Sequence, residues 1–271
     1  MYFKYIFKKY RKLKVHIMSP EYIQLIKSTV PVLRENGVAL TSYFYQRMLK
    51  NHPELKNTFN LDHQSSGRQP RALAAAVLAY AEHIENPSVL AKAVENMTTK
   101  HVSLNIQPEQ YAIVGENLLH SISEVLDVPM DSDLIAAWKE AYMQLADLLI
   151  NVEKTKYENQ SHKNGGWAGW RNFKIVAIET IGTNKRFTLS SEDLQAVAPA
   201  QDKEYISVRV TVPNQELKQP QQFTVLDTHA TQYTIEVKAE ENPTEFTVSN
   251  ILDNHYNVGD IVEVSAPIKN Q

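Results

Sequence analysis

From Ser19 to Tyr157 the apolar positions recur at three- and four-residue steps, the period of helices buried along one face. Ser19-Pro20-Glu21 is a helix start: Ser caps, Pro suits the first turn, and Glu complements the dipole. The pattern predicts a first helix to about residue 35, broken at Asn36-Gly37, and a second carrying Leu40, Phe44, Tyr45 and Met48 that stops at Asn51-His52-Pro53. A short turn, Phe59-Asn60 and a polar loop precede an Ala-rich helix over residues 71–84. Asn86-Pro87 caps the next helix, whose stripe of Leu90, Val94, Met97 and His101 is expected to be buried. Pro108 opens another, with Tyr111, Val114, Leu118, Ile122 and Val125 on one side. Asp131 is expected to cap the last, which presents Trp138, Tyr142, Leu145, Leu149 and Val152, with Glu153 beside them.

The texture changes at Asn164-Gly165-Gly166-Trp167-Ala168-Gly169, which reads as a linker. Beyond it, short alternating runs rich in Val, Ile, Thr and Tyr predict strands over residues 173–180, 186–189, 205–212, 232–237 and 261–264. They suggest a small antiparallel β-barrel or sandwich. The expected organisation is a multi-domain chain: a basic extension at 1–17, an all-α domain at 18–157, a linker at 158–170 and the β-domain at 171–271.

Composition narrows the chemistry. The chain has 271 residues, 43% hydrophobic and 22% charged, enough to build folded cores. It has no Cys, which excludes disulfides, zinc–thiolate sites, iron–sulfur clusters and thiolate-ligated or covalently attached heme. The absence of Cys fits a cytoplasmic protein. The net charge of -3 hides an asymmetry. Residues 1–17 carry Lys4, Lys8, Lys9, Arg11, Lys12 and Lys14 without an acid, and the remainder carries 22 basic against 31 acidic residues. An acidic body argues against nucleic acid as a partner. The first segment reads either as a basic amphipathic helix able to touch a membrane or as a start codon placed too early, with Met18 the true start.

His101 ends an apolar stripe, and an imidazole there needs a partner. Spacing alone favours a hydrogen-bonded core histidine over a metal ligand. Glu153 alone reads as a helix-surface charge, and Tyr111 as a core aromatic.

The motifs are more specific together. TSYFYQRML around Tyr45, HPELKNTFN ending at Phe59-Asn60, KHVSLNIQPEQYAIVGENLL from Lys100, AWKEAYMQLADLLI from Ala137 and GGWAGWRNFKIV from Gly165 resemble the bacterial flavohemoglobins. The resemblance is close over residues 18–170 and looser over 171–266. It implies an all-α globin domain followed by a ferredoxin-reductase-type FAD-binding barrel. It implies heme b, with His101 as the iron ligand and Glu153 and Tyr111 as its proximal partners. Tyr45 would be the hydroxyl donor on the distal side, with Phe59, Gln69 and Leu73 lining the heme pocket. Pro70, following Gln69, bears on where that helix starts. The family's reaction joins nitric oxide and dioxygen into nitrate, using electrons from NAD(P)H through FAD.

The second half departs from that pattern. The family's Arg-x-Tyr-Ser flavin motif stands here as Gln221-Gln222-Phe223-Thr224, and Gln lacks the charge and fork of Arg. The Pro-Gly-Gln-Tyr turn stands as Asp202-Lys203-Glu204-Tyr205, and the diphosphate glycines are replaced near Glu245-Phe246-Thr247. Tyr205, Phe223, Thr224 and Ser249 are the remaining candidates for FAD, and Ser249 reads equally as a helix cap. No Gly-x-Gly-x-x-Gly occurs, so no nicotinamide site is visible. Three functions follow: a nitric oxide dioxygenase served by a separate reductase, a carrier or sensor of dioxygen or nitric oxide with a vestigial barrel, and a truncated product of a longer gene. Weak or absent FAD binding is expected.

Overall fold

The computed structural model describes residues 18–269, so the basic segment 1–17 lies outside the described residues. In chain order the helices are α1 (Pro20–Ser28), α2 (Val30–Asn51), α3 (Leu61–Ser65), α4 (Arg68–Glu82), α5 (Ala91–Ser103), α6 (Pro108–Leu126), α7 (Asp133–Ser161) and α8 (Val248–His255). Short 3-10 turns occupy Pro53–Asn57 and Pro87–Leu90. The strands are β1 (Trp170–Ile181), β2 (Asn184–Ser191), β3 (Tyr205–Thr211), β4 (Lys218–His229), β5 (Gln232–Val237) and β6 (Ile261–Ser265). The chain forms two compact units: residues 18–53, 66–96 and 107–151, and residues 54–65, 97–106 and 152–269. Their boundaries fall within α5 and α7.

The first unit is helical. Ser19 Oγ accepts the Tyr22 N–H and caps α1, as its sequence predicts. The expected interruption at Asn36-Gly37 does not occur, and α2 runs unbroken through both residues. The break comes earlier, at Thr29, where Thr29 Oγ1 donates to the Ile26 carbonyl and Pro31 removes a donor from the next turn. Gly37 lies inside the helix facing Ala74 of α4, where a Cβ would sit at 3.5 Å, an ordinary van der Waals contact, so the helix carries the roughly 1 kcal/mol cost of an interior glycine. Thr41 Oγ1, one turn on, donates to the Pro70 carbonyl at 2.8 Å. Its buried side chains include Leu40, Phe44 and Met48 of α2, Val77 of α4, Ile122 of α6 and Trp138 of α7. Helix α7 is capped by Ser132, whose Oγ receives the Ile135 N–H, rather than by Asp131.

The second unit is built on a closed antiparallel barrel with strand order β1-β2-β5-β4-β3-β6. Alternation accounts for it: Phe173 and Ile175, Phe187 and Leu189, and Tyr233 and Ile235 all point inward and are fully buried. Closure comes from β6, which pairs with β1 and, through Val208↔Val264, with β3. Bulges between Ile175 and Ala177 and between Val225 and Asp227 turn Val176 and Leu226 outward. Helix α8 buries Val248, Ile251 and Leu252 in the barrel core.

Five of the six strands are those the alternation predicts. The sixth, β4, begins Lys218-Gln219-Pro220-Gln221-Gln222, which reads as loop. Its polar side chains serve chain segments far away in sequence. Gln219, fully buried, accepts the Leu61 N–H (2.7 Å) and donates to the Lys56 carbonyl (2.7 Å). Asn60 Nδ2 donates to the Pro220 carbonyl. Segment 54–65 is tied to the barrel by these bonds.

Candidate heme and flavin sites

Helix α5 buries Thr98, Thr99 and Val102. The opposite stripe of Leu90, Val94, Met97 and His101 is only partly buried, which corrects the expectation of a buried core face. The His101 side chain is 29% exposed, while its Nδ1 sits 2.8 Å from Glu153 Oε1. Glu153, from α7, is 3% exposed, so it is not the surface charge that its sequence position alone suggests. A buried carboxylate needs a donor, and an acceptor on Nδ1 fixes that nitrogen as the N–H one. The ring is thereby presented through Nε2, the arrangement of a metal-ligating imidazole with a carboxylate behind it.

Glu153 shares a face of α7 with Lys156, Tyr157 and Gln160. Lys156 Nζ donates to Thr99 Oγ1 (2.8 Å), the Tyr157 hydroxyl to the Ile106 carbonyl (2.7 Å), and Gln160 Nε2 to the Ala266 carbonyl (3.3 Å). Burial, then the Glu153 charge, pushes the Tyr157 hydroxyl far above its usual ionisation. None of these three residues stood out in the sequence, although their spacing from Glu153 was readable as one helix face.

In the first unit, Tyr45 is buried on α2 and Gln69 lies in the first turn of α4. Burial pushes the Tyr45 hydroxyl well above the usual tyrosine range, with a hydrogen bond from Gln69 acting the other way. The structure therefore brings Tyr45 and Gln69 together. Pro70 is the third residue of α4, where a missing N–H has no intrahelical acceptor to lose, so it does not displace Gln69. Leu73, four residues on, is half-buried, as is Phe59 of the second unit. Tyr111 is buried on α6, and its carbonyl accepts the Tyr142 hydroxyl at 2.6 Å.

The flavin candidates lie on β3, β4 and α8. Tyr205 and Thr224 are cross-strand partners on β3 and β4, and Thr224 is exposed. The Tyr205 hydroxyl, raised by burial, is hydrogen-bonded with Ser103. Phe223 is buried in the barrel core. Ser249 is the second residue of α8, whose N-cap is Thr247, so it is not the helix cap its sequence suggests; its N–H and hydroxyl meet Gln221 Oε1 at 3.3 and 3.5 Å and its hydroxyl also meets Glu240 Oε1 at 3.3 Å. The hydroxyls of Thr244 and Thr247 both donate to Asp62 Oδ1. The N-terminus of α8 thus faces the chain's own acceptors, among them two carboxylates.

The globin family profile matches residues 42–149. The flavohemoprotein of Bordetella pertussis is 47% identical over 254 residues, covering 93% of this chain and 63% of that protein. The chain thus spans less than two thirds of that relative's length. A flavohemoglobin from Malassezia yamatoensis, solved with bound FAD and heme, superposes with a TM-score of 0.83 at 29% identity, over 93% of this chain and 65% of its own. A bacterial globin from Campylobacter jejuni is 41% identical, with a TM-score of 0.50, over 52% of this chain and 99% of its own.

Proposed function

We propose, for a chain that belongs to the flavohemoprotein branch of the globin family, that it holds heme b through His101 and converts nitric oxide and dioxygen to nitrate. The observation that carries this reading is the His101–Glu153 pair, a half-exposed imidazole whose Nδ1 is held by a buried carboxylate. Bound heme would supply an iron that takes up dioxygen and returns to its reduced state with one electron per nitrate formed. Glu153 holds the proton on His101 Nδ1 and adds electron density to the ring, which favours oxygen activation over storage. Tyr111 is assigned to the same proximal side. On the distal side, Tyr45 keeps its proton and donates a hydrogen bond to charge that develops on oxygen, while Gln69 holds the Tyr45 hydroxyl in place. Phe59 and Leu73 are the apolar residues assigned to the heme pocket. Dioxygen and nitric oxide are the small-molecule partners.

The barrel is of the FAD-binding type, but the residues present do not fit the diphosphate. Gln221 brings no charge, and the Glu240 and Asp62 carboxylates at α8 repel an anion that the helix terminus would otherwise favour. The electron donor proposed is therefore a separate reductase. Those same carboxylates favour a second reading, a dioxygen or nitric oxide carrier or sensor with a vestigial barrel. Among the described residues no helix is long and apolar enough to cross a membrane. The proposed location is the cytoplasm.

The test mixes chemically reduced, heme-loaded protein with dioxygen and then nitric oxide in a stopped-flow instrument, so that no reductase is needed. Several nitrates formed per heme when a chemical one-electron donor is supplied support the dioxygenase. Nitrate that stops at one per heme, with tight dioxygen binding, supports the carrier.

A further inference from the structure

The polar face of α7 does more than supply Glu153. Its bonds bracket His101 on both sides along the chain: Lys156 holds Thr99, two residues before it, and Tyr157 holds Ile106, five residues after it. The bracketed segment is the end of a helix and the turn that leaves it, where backbone carbonyls lose their helical partners. The N–H groups of Leu104 and Ile106 both fold back onto the His101 carbonyl at 3.0 Å, and Asn105 adopts a left-handed φ of 57°. A turn of this kind frays unless it is anchored. Glu153 fixes one ring atom. The bonds to Thr99 and to Ile106 add an anchor to the backbone on either side of it. Thr99 is fully buried and Ile106 9% exposed, while the Lys156 and Tyr157 side chains that reach them are partly buried, so both bonds are partly shielded from water.

We infer that Lys156 and Tyr157 are positioning residues that fix the height and rotation of the His101 imidazole through the turn that carries it. This rests on the heme reading above. Both side chains bond to the segment that carries His101 and not to its ring. Together with Glu153 they would hold the ring in the orientation it presents to bound heme.

The test uses the heme-loaded full chain with Tyr157→Phe and Lys156→Met. Tyr80→Phe serves as a control, because Tyr80 also donates from a buried hydroxyl to a carbonyl, that of Ala141 at 3.0 Å, in the first unit. The readouts are heme per chain, thermal midpoint, heme reduction potential and the iron–imidazole stretching band of the ferrous protein. The expected result is one heme per chain in all variants, with the band broadened or split to lower frequency and the potential moved in Tyr157→Phe and Lys156→Met. Tyr80→Phe should lower the thermal midpoint and leave band and potential in place. An unmoved band and potential in both α7 variants, or an equal movement in Tyr80→Phe, overturns the inference while the heme reading stands. Failure of the unaltered chain to take up heme overturns both.

Discussion

His101 Nδ1 and Glu153 Oε1 lie 2.8 Å apart, and the carboxylate at the far end of that bond is 3% exposed. The two residues are 52 positions apart and come from different helices. A buried acid bonded to a partly exposed imidazole polarises the ring for ligation. Glu153→Gln keeps an acceptor and removes the charge, so heme should be retained. Nitrate formation should fall about 10- to 100-fold, the usual cost of losing a partner behind a metal ligand. Single-turnover stopped flow with the iron–imidazole band recorded in parallel checks this, and an unchanged rate and band would remove Glu153 from the mechanism.

Tyr45 carries the distal half. Tyr45→Phe should slow nitrate formation by about 10²-fold, the scale of losing one preorganised donor, and should speed dioxygen release. Burial holds the Tyr45 hydroxyl protonated well beyond the usual tyrosine range. The rate should therefore show no alkaline limb from this group up to about pH 10, where an ordinary tyrosine ionises. A limb near that value that vanishes in Tyr45→Phe would contradict the assignment.

The legibility of these residues follows from their neighbours. Periodicity exposed the helices, and alternation exposed five strands, because each buries one repeating face against local partners. Strand β4 escaped because Gln219 is buried by hydrogen bonds to residues 56 and 61, a burial that no hydropathy pattern records. The break before α2 escaped because Asn36-Gly37 reads as a stop, whereas the helix absorbs both residues and breaks at Thr29, ahead of Pro31. His101 and Tyr45 were singled out by the motifs around them, which the resemblance to the flavohemoglobins supplied. The Lys156 and Tyr157 contacts were not, since an ordinary charged helix surface shows the same residue types. The acceptors facing α8 depend on Asp62 and Glu240, which no flavin motif contains.

Flavin occupancy tests the barrel. The purified chain should release far less than one FAD per polypeptide. Gln221→Arg should raise FAD affinity, because it restores a cation beside the α8 N-terminus and removes the amide that now engages Ser249. Fluorescence of released flavin measures both, and one FAD per unaltered chain would show that the barrel accommodates the cofactor despite Glu240 and Asp62.

Gly115 is a packing constraint. A Cβ at this position would collide with the ring of Tyr142, whose hydroxyl is bonded to the Tyr111 carbonyl. Gly115→Ala should destabilise the helical unit by about 1–3 kcal/mol, the usual range for overpacking, and should disturb Tyr111. Urea unfolding followed by Trp fluorescence reads the loss, and unchanged stability would mean that α6 and α7 can move apart there.

Acid sensitivity of the barrel should run through Glu263. Burial pushes its ionisation up, but the hydrogen bonds and charges of Arg209 and Lys218 prevail and hold it below 4.5. A carboxylate depressed in the folded state adds stability above its unfolded value and loses it as pH falls through its folded value. Thermal melts at neutral pH and below pH 4 should therefore show Glu263→Gln less stable than the unaltered chain at neutral pH and nearly equal to it in acid. A difference that is the same at both values would exclude this ionisation as the cause.

The central claim is that His101 holds the heme. It is tested most directly by the absorption spectra of the heme-reconstituted chain and of His101→Ala, oxidised and dithionite-reduced, with added imidazole as the rescue. The account predicts a stoichiometric Soret band in the unaltered chain, its loss or displacement in His101→Ala, and its return with imidazole. A His101→Ala protein that keeps one heme per chain with the unaltered spectrum would contradict it.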